Sequence, residues 1–158
     1  PRGSFYMYFA DKADLFLHLM DQFVDTFTQT VCRLLEEEDG ALFPAFRRLF
    51  DHLQDRCVTG CREGGAAEVI TILRRNVGMP HTMAMGQSYG RRFLSQLLPR
   101  LDRARLSLEG EAELENGLRI LLSVTLPLLC EGVLAEDPEP VRARYQSYLT
   151  ILERGMLR

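Results

Sequence analysis

The chain has no tryptophan, one lysine and three histidines in 158 residues, and its four cysteines are scattered as Cys32, Cys57, Cys61 and Cys130. Cysteines so placed supply neither the dense disulfide framework of a small secreted domain nor the paired CxxC of a zinc site. Buried thiols in a reducing cytoplasm are the expectation. A basic excess is also lacking, with 22 acidic against 19 basic residues and a net charge of -3. That balance removes any global attraction for nucleic acid or an anionic membrane, so a DNA contact must be local. No phosphate-binding GxxxxGK[ST] loop is present, Gly60 to Gly65 included. Nor is there a nucleophile beside a base, or a carboxylate pair with an evident role, so the chain is not expected to be an enzyme, nor to need a metal or cofactor. The first residues lack a basic segment followed by an apolar one, as a secretory signal requires. The most apolar stretch, Gly117 to Leu134, is interrupted by Arg119, Pro127 and Glu131, and reads as a buried helix and not a membrane span.

What is present is apolar mass with helical spacing. Hydrophobic residues make up 46% of the chain, enough for a core in one domain. No segment alternates apolar and polar residues as a strand does, so the fold expected is all-α. From Lys12 to about Glu36, Leu15, Leu19, Phe23, Phe27, Val31 and Leu35 recur every fourth residue, with Asp11 placed as N-cap, Asp14 in the first turn and Gly40 at the end. A second helix is expected over about Phe43 to Val58, with Pro44 in its first turn, and a shorter one from Ala66 to about Val77. The next begins near Thr82 and is kinked or ended by Pro99. The last two, about Glu111 to Ala135 and Pro138 to about Arg154, read as a pair joined by a tight turn. Leu118, Leu122, Leu126 and Leu129, with Val141, Tyr145, Tyr148 and Leu152, make their apolar surface too large for one neighbour. A second subunit is expected to cover part of it; filling of a monomer core is the competing reading.

At the N-terminus, Gly3-Ser4-Phe5-Tyr6-Met7-Tyr8-Phe9-Ala10-Asp11-Lys12-Ala13-Asp14-Leu15 resembles the end of the helix-turn-helix of the TetR family of transcriptional regulators. That pattern is Gly, Ser or Thr, an apolar residue, Tyr, any residue, His or Tyr, Phe, a short turn, Lys, then Leu three residues on. Each position is matched. Beyond this dozen residues the resemblance is architectural: a run of amphipathic helices ending in an apolar pair.

The resemblance implies a TetR-like helical ligand-binding domain whose last two helices form a dimeric four-helix bundle. Residues 1-11 would be the remnant of the DNA-binding domain and 12-158 the ligand-binding and dimerisation body. It further implies a homodimer that represses transcription, with operator DNA as partner of the full-length protein and a small apolar or amphipathic ligand as inducer. The family's first two helices and the start of its recognition helix would precede Pro1. Ser4, Tyr6, Tyr8 and Lys12 would touch the DNA backbone, contacts that position a protein without specifying sequence.

For the ligand pocket, the large adaptable side chains Phe23, Phe27, Phe46, Phe50, Met79, Met83, Tyr89 and Phe93 are candidates, with His52 and Arg74 as polar members. Ordinary core packing accounts for the same aromatic spacing. Two other readings fit the residues: a stand-alone helical small-molecule sensor without DNA binding, and a small helical enzyme dependent on His52 or a cysteine.

Overall fold

A computed structural model describes residues 12–60 and 80–158. Five α-helices account for most of them: α1 (Lys12–Glu37), α2 (Leu42–Gly60), α3 (Pro80–Leu97), α4 (Glu111–Leu134) and α5 (Glu139–Met156). Short 3-10 turns at Leu98–Arg100 and Arg103–Arg105 lead from α3 toward α4. There is no strand among the described residues, only an isolated bridge between Leu106 and Leu157, so the all-α expectation holds. The expected helix from Ala66 to Val77 lies outside the described residues.

The four-residue apolar repeat of α1 does two different things along its length. From Phe27 onward the helix is anchored, with Phe27, Val31, Cys32, Leu34 and Leu35 all buried. Before Phe27, every described side chain from Asp14 to Thr26 is half-buried or exposed. The helix ends in a left-handed pair, Asp39 (φ 51°) and Gly40 (φ 78°). There the Gly40 N–H returns to the Leu35 carbonyl at 2.8 Å, a glycine C-cap that satisfies an orphan carbonyl. Glycine is needed twice over, since an added Cβ would lie 2.7 Å from the Asp102 backbone nitrogen. Asp102 N–H in turn donates to the Gly40 carbonyl at 3.0 Å, pinning the α3–α4 connection to the α1–α2 turn.

α2 enters the core at once, with Leu42, Phe43, Ala45, Phe46, Leu49 and Phe50 buried. Pro44 falls in its first turn, where a backbone donor is not required. α3 runs in the same direction as α1: Phe27 meets Phe93, Cys32 meets Gln96 and Glu36 meets Arg100. Pro99 ends it, as its missing N–H and ring demand, in a 3-10 turn.

α4 and α5 form an antiparallel hairpin. Glu131 near the end of α4 pairs with Arg144 near the start of α5 at 2.5 Å, and Gly117 near the start of α4 faces Met156 at the end of α5. Asp137 accepts from the Glu139 N–H at 3.1 Å, serving the helix start although Pro138 occupies the capping position itself. Leu114, Leu118, Leu121, Leu128 and Leu129 of α4 and Val141, Tyr145, Leu149 and Met156 of α5 complete the core. α4 is long and apolar enough, by length and composition alone, to cross a membrane, and about two-fifths of its apolar window is buried inside the protein.

Candidate functional site

The aromatic residues expected to line one pocket are, where buried, members of one continuous hydrophobic core, Phe27, Phe46, Phe50 and Phe93 among them. Phe23, Phe27 and Phe93 form a row between α1 and α3, with centroids 6.2 Å and 5.7 Å apart. Phe46 and Phe50 lie in the core between α2 and the α4–α5 hairpin, Phe50 stacking on Tyr145 at 5.4 Å. Phe27, Phe46, Phe50 and Phe93 are buried in side-chain contact, while Phe23 and Tyr89 are half-buried. His52 sits on the outer α1–α2 seam, where its Nε2 lies 3.2 Å from the Arg33 guanidinium. Arg33 also binds Glu37, which Arg48 reaches at 2.7 Å. The Arg33 hydrogen bond is the largest influence holding the Glu37 carboxyl below the usual carboxylate range, with Arg48 assisting. Arg74 and Met79 lie outside the described residues, as does the side chain of Met83.

A groove of about 360 Å³ opens elsewhere, at the start of α2, between Phe43, Pro44, Arg105, Leu106, Leu157 and Arg158 among others. None of the expected pocket residues lines it. Its two arginines are exposed and already paired, Arg105 with Asp102 at 2.8 Å and Arg158 with Glu109 at 3.7 Å.

Two features of the α1–α2–α3–α4 region escaped the sequence reading. The Gln54 side-chain Nε2 is buried without an acceptor among the described residues, pressed against Gly132 of α4. A side-chain amide on α2 gives no signal of burial in the sequence; the room for it comes from Gly132, far along the chain on α4. The other is Arg92, which binds Asp21 at 3.3 Å and Asp25 of α1 while its Cζ stands 5.5 Å over the Tyr89 ring. The spacing of Asp21 and Asp25 places both carboxylates on one face, but nothing in sequence names their partner.

The expected dimer surface needs a correction. Leu118, Leu129, Val141 and Tyr145 are at most 5% exposed and belong to the protomer's own core. They leave no surface to a partner, because the apolar breadth of α4 is covered by α2 and α5 of the same chain. Leu122, Leu126 and Leu152 are half-buried and Tyr148 is 42% exposed. The outward apolar surface is a different one. On α4, Ile120, Val124, Pro127 and Glu131 follow helical spacing along one stripe; on α5, Arg144, Tyr148, Ile151 and Gly155 do the same. The Glu131–Arg144 ion pair joins the stripes edge to edge. Ile151 is 63% and Ile120 54% exposed, and an added Cβ at Gly155 would meet nothing within 4 Å.

Of the expected DNA contacts, Ser4, Tyr6 and Tyr8 lie outside the described residues, and Lys12 opens α1 with its side chain not described. Cys32 donates to the Gln96 carbonyl at 3.8 Å, and burial pushes its thiol up, the opposite of an activated cysteine. No cluster of metal-ligating side chains occurs among the described residues. The sequence matches no family model and no curated protein.

Proposed function

We propose that this chain is the ligand-binding and dimerisation body of a TetR-like transcriptional repressor, released from its operator by a small apolar or amphipathic molecule. The observation that carries the reading is the motif from Gly3 to Leu15, whose Lys12 is also the first residue of a 26-residue helix. In such an arrangement a shift of α1 displaces whatever DNA-binding element precedes it. Operator half-sites lie about one helical turn apart, ~34 Å, so a modest change in the spacing of two such elements loses one of them. The ligand acts by preferring one spacing to the other.

The outward stripe of Ile120, Tyr148 and Ile151 supports the homodimer, with a second copy of the same stripe as its partner. Phe23, at the half-buried end of the α1–α3 aromatic row, and the half-buried Tyr89 are the groups offered to the apolar part of a ligand.

The test is binding of the protein, with its native upstream residues restored, to labelled DNA from ahead of its own gene, with and without a panel of hydrophobic compounds. Saturable, salt-sensitive binding that outcompetes random DNA and is weakened by a compound is the expected result. If the native upstream residues hold no helix-turn-helix, the repressor reading is overturned in favour of a stand-alone sensor.

A further inference from the structure

α1 is held in two unlike ways. Its second half is bolted into the core by Phe27, Val31, Leu34 and Leu35, each at most 7% exposed. Its first half contributes no buried side chain among those described from Asp14 to Thr26, and Leu17 is 41% exposed. A helix segment with little buried apolar surface opens at low free energy unless something else holds it. Facing it from α3 is Arg92, whose guanidinium reaches Asp21 and Asp25, one helical turn apart on α1, and stands over the Tyr89 ring. Burial, reinforced by the nearby Asp21 carboxylate, raises the pKa of the Tyr89 hydroxyl.

We propose that the first half of α1 is a lever hinged at Phe27 and fastened to α3 by a salt-sensitive latch, Arg92 seated between Asp21 and Asp25 over Tyr89. The exposures decide its character. Arg92 is 40%, Asp21 54% and Asp25 53% exposed, so water and counterions reach every partner. Exposed ion pairs are weak and are screened by salt; a planar guanidinium serving two carboxylates and an aromatic face gathers several such weak contacts at one point. The contact is therefore strong enough to bias the lever and weak enough to release it. Phe27, packed at a tilt against Phe93 at a centroid distance of 5.7 Å, is where the grip of the core begins and hence where the bend falls. The latch does not depend on the repressor reading. Only its consequence does: residues 1–11 lie immediately ahead of the lever in the chain.

Amide hydrogen exchange on the whole chain tests the latch without DNA or ligand. Arg92→Ala is expected to speed exchange of the amides of residues 16–26 by roughly five- to ten-fold while leaving residues 30–37 unchanged. Raising sodium chloride from 50 to 500 mM should do the same to the wild type and have little further effect on the variant. Asp21→Asn with Asp25→Asn, which removes the charge and keeps the size, should match Arg92→Ala, and the three changes together should add nothing. Exchange that stays unchanged in both variants, or that salt leaves unchanged in the wild type, overturns the latch. Exchange that rises uniformly through Glu37 overturns the hinge, since the change then loosens the whole helix.

Discussion

The Tyr145 hydroxyl donates to the Phe46 carbonyl at 2.8 Å inside the core, joining the middle of α5 to the first turns of α2 across 99 residues of sequence. Tyr145 is fully buried, and its ring stacks on Phe50 one turn further along α2. Tyr145→Phe keeps the stacking and removes the donor. A buried neutral hydrogen bond contributes about 1 kcal/mol net. The variant should lose about that much stability in urea unfolding, with the slope of the transition unchanged; an unaltered midpoint would show that the hydroxyl is not bonded.

The same group gives the fold an alkaline limit. Burial, more than the opposing effects of Thr125 and Arg47, pushes the Tyr145 hydroxyl far above the usual tyrosine value near 10. The folded state thus keeps its proton where the unfolded state has lost it. The stability associated with this group is complete below about pH 10, the unfolded value, and is lost as pH rises beyond it. The expected slope is at most about 1.4 kcal/mol per pH unit for one such group. Unfolding measured from pH 8 to 11 should show this loss in the wild type and a shallower one in Tyr145→Phe, whereas parallel curves would assign the alkaline limit to other groups.

Gly132 marks a close approach of α4 to α2. An added Cβ would stand 2.7 Å from both Phe50 Cζ and Gln54 Nε2. Alanine at an unconstrained helical site gains about 1 kcal/mol over glycine. Here the clash with a fully buried ring outweighs the gain, because overpacking a core costs about 1–3 kcal/mol. Gly132→Ala should therefore lower the thermal midpoint. A rise would mean that the helices are further apart than described.

Gln54 should behave in the opposite sense. Its Nε2 is buried with no acceptor among the described residues, and a buried unsatisfied donor costs about 1–3 kcal/mol. Gln54→Met fills similar volume without the donor, so chemical unfolding should give a stability equal to or above that of the wild type. A clear loss of stability would mean that the amide has a partner.

The helices were legible in the sequence because each carries local signals. The four-residue repeat from Leu15 to Leu35, Gly40, Pro44, Pro99 and Asp137 set boundaries that fall within a few residues of those of α1, α2, α3 and α5. The sites were less so, because helical periodicity says which residues share a face and not what covers it. Leu118 and Ile120 are two residues apart on one apolar helix, yet one is fully buried and the other 54% exposed. The difference is made by α2 and α5, whose placement is tertiary. Phe27 and Phe50 share an aromatic character and meet different rings, Phe93 and Tyr145, for the same reason. Arg92 lies 67 residues from Asp25, a separation over which charge patterning is silent.

The outward stripe on α4 and α5 allows the homodimer to be tested without disturbing the fold. Ile151 is 63% exposed in the protomer, so a charged residue there costs the isolated chain little. In a two-fold dimer the same position is buried twice, once from each copy. Burying one such side chain is worth about 1.5 kcal/mol or more, so removing both amounts to at least ~3 kcal/mol, or roughly a hundred-fold in Kd. Ile151→Glu should accordingly convert a micromolar dimer to a monomer in sedimentation equilibrium, with its thermal midpoint changed only through the lost association. Leu118→Glu makes the contrast: Leu118 is fully buried in the protomer, so that change should unfold the chain and not yield a folded monomer. A wild type that is monomeric at 100 µM concentration, or an Ile151→Glu protein that still dimerises as tightly, would put the partner of this stripe elsewhere and take the homodimer away from the proposed function.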